Sequence, residues 1–391
     1  MLRVCLILIS ITLSGCAART ATHNFPDTSP PNQLLTARHY EVWVDADATF
    51  FPNGWEALCG SYRSGAYTLH NRALSLNYLD CTPELLSQIR EQTLSEIAEA
   101  FSGLEMVTIL IHGFNHGVSN QATSIRNDYL ARRNAIDGIL ADPSNRPIEH
   151  GYIEFFWNGL ESTRGNLGIP AAWTYASING ERAGHLALQP ILATLQDAGV
   201  QRVHILAHSR GAAVALSALA GGKYVDEAGR ARNAALGAPT PPRPLADGGM
   251  EILVTSTAPA ISCWHFVSRE ERRIRCDDPV RELPASVISH YSTVNPSDFA
   301  LRKLIGGILV TRLNSTEFGQ NLRAAQGVAD RMNEARMGAG GSAFMAVENI
   351  DMVNDQIEGG PADGVSSHSA TDYLNLRQVR ARLQEVYAPP D

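Results

Sequence analysis

The chain has 391 residues, with 32 Lys and Arg against 40 Asp and Glu, a formal charge of −8 and no basic block. That balance excludes nucleic acid as a partner class. An apolar share of 44% is enough for one large core, and no internal repeat is evident.

Residues 1–16, MLRVCLILISITLSGC, carry one early cation, Arg3, and an apolar run from Val4 to Ser14. The run is too short to span a bilayer, so residues 1–15 read as a secretion signal. Leu13-Ser14-Gly15-Cys16 resembles the lipobox of bacterial lipoproteins. The resemblance implies cleavage before Cys16 and acylation of its thiol and amine, each buried CH₂ anchoring by about 0.8 kcal/mol. Ala17 stands where an aspartate would resemble an inner-membrane retention signal. By that resemblance the protein belongs to the bacterial cell envelope, anchored in the outer membrane and facing the periplasm. Residues 16–36 are polar, Pro- and Thr-rich and aperiodic, which predicts a flexible tether ahead of a domain over 37–391. With Cys5 lost to the signal and Cys16 to lipid, Cys59, Cys81, Cys263 and Cys276 remain. An even number in an oxidising compartment suggests disulfides, and of three pairings the local Cys59–Cys81 and Cys263–Cys276 are expected. None of the four has metal-site spacing.

Residues 37–104 read as an N-terminal extension at the sheet edge and site rim, with β-like YEVWVDADATFF and a helix over 83–101. MVTILIHGF (106–114) is a β-rich run, and Ile125, Tyr129, Ile136 and Leu140 give helical spacing across 120–140. A strand follows at 150–159, then a helix at 181–199 that Pro190 should kink or divide. RVHILAH (202–208) predicts a strand, 211–221 a helix, and 233–239 and 250–257 further strands. Residues 258–287 interrupt the alternation and read as an inserted hairpin around a charged turn. Beyond it come a strand from 290, mixed helix and loop over 318–338, a strand at 344–352 and a helix at 371–387. Strands alternating with helices predict an α/β fold, its mainly parallel central sheet covered by helices on both faces.

The chemistry centres on RVHILAHSRGAAVA, residues 202–215. Ser209 lies between a predicted strand and a predicted helix, the setting of a nucleophile elbow, where only small residues fit two places before and after the serine. Gly211 meets that demand, and Ala207 adds one methyl. At His112-Gly113-Phe114-Asn115 and His208-Ser209-Arg210-Gly211 the chain resembles the α/β-hydrolase superfamily. It is most similar to a bacterial family of esterase- and lipase-like proteins of uncharacterised function with HGYN-like and HSxG motifs. The resemblance covers about residues 105–388 and departs at Phe114 for Tyr and Ala207 for Gly. It implies an α/β-hydrolase fold, Ser209 as nucleophile, and an oxyanion hole from the backbone N–H groups of Phe114 and Arg210. His112, Gly113 and Gly211 would support that loop and turn.

A hydroxyl nucleophile needs a base, and the base an orienting acid; in this fold they follow in the order Ser, Asp or Glu, His. His265 and His290 read as structural or exposed. His368, in GVSSHSATDY between the last strand and the last helix, sits where the family's base resides, although Ser367 replaces a glycine and Tyr373 matches loosely. Asp298, in NPSDFALRKL, resembles the family's acid stretch and could alternatively be a helix N-cap. Asp351 is the rival acid, ahead of Asp277 and Asp278 in the insertion. His208 is expected to pack beneath the elbow. Asn115 and His116 line the pocket or cap the helix from 120, and Trp157 and Trp173 form an apolar wall or pack in the core. The expected activity is lipid-anchored serine hydrolysis of a small-molecule or lipid carboxylic ester, with no metal or organic cofactor. Preference for ester over amide comes from the resemblance alone. A peptidase or acyltransferase with the same triad, and a non-catalytic binding lipoprotein, are the alternatives.

Overall fold

The computed structural model describes residues 18–19, 33–36, 38–44, 48–51, 62–69, 72–79, 82–114, 121–143, 147–157, 161–162, 179–221, 245–246, 248–266, 280–298, 317–352, 354–355 and 368–388. Its strands are β1 Ala18–Arg19, β2 Gln33–Thr36, β3 His39–Trp43, β4 Tyr62–Leu69, β5 Arg72–Leu79 and β6 Met106–Ile111, followed by β7 His150–Phe156, β8 Glu161–Ser162, β9 Arg202–His208, β10 Glu251–Thr257, β11 Val287–Val294 and β12 Met345–Asn349. One sheet has the order β12-β11-β10-β9-β6-β7-β3-β2. Every pairing from β12 to β3 is parallel, and β2 alone runs antiparallel to its neighbour. β4 and β5 form a separate antiparallel hairpin, and β1 pairs with β8 over two residues. The expected α/β class with a mainly parallel sheet is what forms.

The helices include α1 Pro83–Phe101, α2 Gln121–Leu140, α3 Gln189–Asp197, α4 Gly211–Ala220, α5 Leu322–Gly338, α6 Ala370–Leu374 and α7 Arg377–Tyr387, with a single further turn at Glu317–Gln320 ahead of α5. β6 and β9 are buried along their lengths, with no polar-out alternation. That pattern belongs to strands covered on both faces. The chain crosses the sheet one way from β6 through α2 to β7, and the opposite way from β9 through α4 to β10. Right-handed crossovers in opposite directions put α2 and α4 on opposite faces. Accordingly α2 packs with α6 and α7, while α4 packs with the helical turn that leads into α3, and α3 packs on α1. The reversal between β6 and β9 opens a crevice outside their carboxyl ends, the position where α/β sheets hold ligands.

Local sequence explains several boundaries. A π-helical turn, Ala183–Leu188, runs into α3 with Pro190 in its first turn. Proline has no N–H for the Leu186 carbonyl four residues back, and Arg90 of α1 supplies the donor from Nη1 at 3.0 Å. The break expected at Pro190 is therefore a change of helix type bridged from another helix. In the N-terminal extension, Trp43 of β3 stacks on Phe156 of β7 with centroids 3.9 Å apart. Arg126 of α2 lies over the Trp43 ring and binds Glu41 with two bonds of 2.8 and 2.7 Å. Residues 39–43 thus belong to the core as well as the sheet edge.

Some boundaries differ from expectation. β6 stops at Ile111 and β7 at Phe156, β11 begins at Val287, and the last helix is divided into α6 and α7 at Asn375-Leu376. Where mixed helix and loop were expected over 318–338, the chain breaks only at Asn321, and α5 then runs uninterrupted with its N-terminus capped by Asn321 Oδ1 accepting from Ala324 N at 3.2 Å. Cys263–Phe266 forms a 3₁₀ turn in place of the first strand of the inserted hairpin. The rest of that hairpin over 267–279, the strand at 233–239, the signal, Cys16, Cys59, Cys81, Cys276 and the Cys263 side chain lie outside the described residues. Among the described residues no helix is long and apolar enough to cross a membrane.

Candidate active site

β9 ends at His208 and α4 begins at Gly211, so Ser209 turns the chain within two residues. Its φ is +53°, in the left-handed region that costs a non-glycine residue about 1–2 kcal/mol. Three backbone bonds hold it there. Ser209 N–H donates to Thr257 O at 2.9 Å, and its carbonyl accepts from Ala260 N at 3.0 Å and Ala212 N at 3.2 Å. A Cβ on Gly211 would lie 2.6 Å from the His112 carbonyl oxygen, so the helix can start there only with glycine. Ala207 tolerates its methyl because it is still in β9, buried and in register with Ile111 and Ser256. The Arg210 side chain is also buried, and its Nη1 donates to Ala260 O at 3.0 Å. The elbow is thereby tied at three points to the end of β10 and the segment after it.

His368 precedes α6 and reaches back to the elbow. Its Nε2 lies 2.8 Å from Ser209 Oγ, and its Nδ1 lies 2.7 Å from Asp298 Oδ2. With Nδ1–H donating to the carboxylate, Nε2 is the acceptor for the serine hydroxyl. Asp298 is fully buried in the turn after β11, whereas the His368 side chain is 24% exposed. Asp298 N–H donates to Asn295 O at 3.1 Å. Tyr373 of α6 donates its hydroxyl to Asp298 Oδ2 at 3.0 Å and accepts from Asn295 Nδ2 at 3.0 Å. Burial first, then the Asp298 charge, pushes the Tyr373 hydroxyl pKa up. Asp351 is exposed and accepts from Asn354 N at 3.3 Å and Asn354 Nδ2 at 2.5 Å, holding its own turn. His368 is therefore met by Asp298, the first of the two candidate acids.

The loop after β6 lies against the nucleophile. A Cβ on Gly113 would fall 2.7 Å from Ser209 Cβ and 3.3 Å from Oγ, which sets the Gly113-Phe114 segment beside the serine. His112 is buried and rigidly bonded. Its Nε2 accepts from Trp157 N at 3.1 Å, so Nδ1 carries the proton and donates to Gly113 O at 2.8 Å. The His112 N–H donates to Tyr129 OH at 2.8 Å, and Trp157 Nε1 donates to His112 O at 2.9 Å. Trp157 is fully buried and stacks on the His112 ring, so of its two expected fates it takes core packing. Phe114 is half-buried and packs against Ala260.

Three further described histidines lie in the interior. His208 is buried beneath the elbow, as expected, with Nδ1 3.2 Å from Thr257 Oγ1 and its ring centroid 5.0 Å from that of His368. His290 is buried in β11 beside Ser292 Oγ at 3.2 Å, and His265 faces Ser262 and, at 3.6 Å, Glu181. Asn115, His116, Trp173, Asp277 and Asp278 lie outside the described residues. Among the described residues no group of three or more His, Cys, Asp or Glu could hold a metal ion. Asn295, Tyr129 and the bonds of Trp157 to His112 were not anticipated. The only local signal was the spacing that puts Tyr373 one short helical segment beyond His368.

No protein-family model matches the chain, and no curated protein does either. Among solved structures, the Tle1 effector bound to the VgrG spike from the type VI secretion system aligns with 61% of this chain and 52% of its own, so the chain spans about half its length. The identity is 11% and the TM-score 0.22, a likeness too slight to bear on what this chain does.

Proposed function

We propose that the protein is a serine hydrolase of the α/β-hydrolase superfamily that cleaves carboxylic esters through an acyl-enzyme. The observation that carries this reading is the hydrogen-bond chain from Ser209 Oγ through His368 to buried Asp298, with Ser209 held at positive φ. As Ser209 Oγ attacks the ester carbonyl carbon, His368 Nε2 takes its proton, and Asp298 stabilises the resulting imidazolium. The carbonyl oxygen becomes an oxyanion facing the backbone N–H groups of Phe114 and Arg210, at the positive end of α4. His368 then protonates the leaving alcohol. Water, deprotonated by His368, attacks the acyl-serine, and the same steps run in reverse to free the acid.

The substrate class is a small-molecule or lipid ester, and ester over amide follows from the family resemblance. The test is release of p-nitrophenol from acyl esters of graded chain length by the full chain, set against aminoacyl amides. Ester turnover lost in Ser209→Ala is expected; cleavage confined to the amides would instead establish a peptidase. The same reading places the protein in the bacterial envelope, anchored through acylated Cys16 to the outer membrane. Incorporation of labelled palmitate, abolished by Cys16→Ser, tests the anchor.

A further inference from the structure

We propose that Tyr373 and Asn295 are positioning residues that set the orientation and charge of Asp298. Their kinetic consequence rests on the hydrolase reading, and their spectroscopic consequence on geometry alone. Two donors converge on one oxygen of a fully buried carboxylate: His368 Nδ1 at 2.7 Å and Tyr373 OH at 3.0 Å from Asp298 Oδ2. The direction of every bond is fixed from the far end. Asn295 Oδ1 accepts from Ser297 N at 3.0 Å and Ser297 Oγ at 2.7 Å, so its other terminal atom is the amide nitrogen. That nitrogen donates to the Tyr373 oxygen at 3.0 Å and leaves the phenol hydrogen to point at Asp298. The order is therefore Asn295 to Tyr373 to Asp298, with Asp298 also receiving His368. All three of Asn295, Tyr373 and Asp298 are fully buried, so these bonds act in a low dielectric, where losing one costs more than in water.

Each of two chain segments contributes one member of the triad and one support: Asn295 with Asp298 after β11, and His368 with Tyr373 at α6. Docking of α6 is thereby coupled to the aim of the acid. The phenol bond also spreads the carboxylate charge that faces the His368 ring. Other ionisable groups face this cluster from neighbouring elements. His208 of β9 lies 5.0 Å from the His368 ring and 6.2 Å from that of Tyr373, and Asp128 of α2, paired with Arg132, meets Thr371 at 3.4 Å. They are untouched by the substitutions that follow.

The test uses the full chain carrying Tyr373→Phe or Asn295→Asp. The second keeps the acceptors for Ser297, while its carboxylate competes with Asp298 for the phenol hydrogen, and it carries the test if Tyr373→Phe does not fold. The first readout is the low-field proton resonance of His368 Nδ1–H. The second is the pH profile of Ser209 phosphonylation by a fluorophosphonate. In both variants the resonance should move or vanish and the acidic limb should shift to higher pH. The rate should fall by about ten- to a hundredfold, the range for losing one hydrogen bond to a charged group. Folded variants with the wild-type resonance and acidic limb would overturn the proposal. A wild type that resists phosphonylation would defeat the hydrolase reading instead, and the resonance would still decide the role of Tyr373.

Discussion

Replacing Asp298 by Asn removes one charge from a site whose geometry lets the cost be worked out. Asp298 Oδ2 sits 2.7 Å from His368 Nδ1, with no exposure to solvent. Asn can keep an oxygen in place of Oδ2, so the neutral resting state survives. What is lost is the attraction between the carboxylate and the imidazolium formed as Ser209 attacks. At an effective dielectric constant of about 20 and a charge separation of about 4 Å, that attraction is about 4 kcal/mol, or roughly 10³ in rate. If the Asn amide instead turns its NH₂ to Nδ1, the histidine is held in the wrong tautomer, Nε2 can no longer accept the serine proton, and the loss approaches roughly 10⁴. The assay is the second-order rate of fluorophosphonate reaction, with thermal unfolding by circular dichroism to verify the fold. Asp298→Asn should lose about 10³- to 10⁴-fold, and Asp351→Asn, at an exposed turn, should keep the wild-type rate. An Asp298→Asn protein close to wild type, or a greater loss in Asp351→Asn, would refute this reasoning.

Gly113→Ala would put a methyl 2.7 Å from Ser209 Cβ; it should lower stability by about 1–3 kcal/mol and suppress phosphonylation, and a variant that reacts normally would show that the loop is not seated on the serine. Ala207→Gly restores the usual small residue of the elbow, yet Ala207 is a buried strand residue. It should cost about 1 kcal/mol in urea unfolding through backbone entropy and leave the rate unchanged; a faster enzyme would mean that Ala207 strains the turn. Burial lowers the pKa of His150 and His204 to about 3 and of His290 to about 4, against an ordinary value of 6.5. These groups are neutral in the folded state and bind protons on unfolding, so their contribution is intact above pH 6.5 and lost as pH falls below it. The loss is about 1.4 kcal/mol per pH unit for each histidine, and about 4 for the three, down to about pH 4. Urea unfolding at pH 7.5, 6 and 5 should show that decline, and a flat profile would contradict it.

The parts of this molecule that could be read from the sequence are those with a local cause. A buried parallel strand needs apolar residues at every position, so β6 and β9 announce themselves, and a serine between such a strand and an alanine-rich helix has few roles. Asp298 and His368 were accessible through the family resemblance together with chain order, which left Asp351 as a rival acid. Asn295 and Tyr373 were not, because their bond joins residues 78 apart and the loose motif match at Tyr373 names no partner. The same holds for Arg90, which answers the carbonyl freed by Pro190 from 96 residues away. Pro190 announced a break, but its form depended on a partner in another helix. His112 was assigned to the oxyanion loop by resemblance. Its tautomer became readable only with Trp157 N beside Nε2 and Gly113 O beside Nδ1.

The central claim is that Ser209 is a nucleophile activated through His368. Its most direct test is intact mass and peptide mapping of the native full chain after exposure to a fluorophosphonate. One phosphonyl group on Ser209 is predicted, absent in Ser209→Ala and strongly slowed in His368→Ala. A native wild-type protein that stays unmodified, or one modified at another residue with Ser209 untouched, would contradict the account.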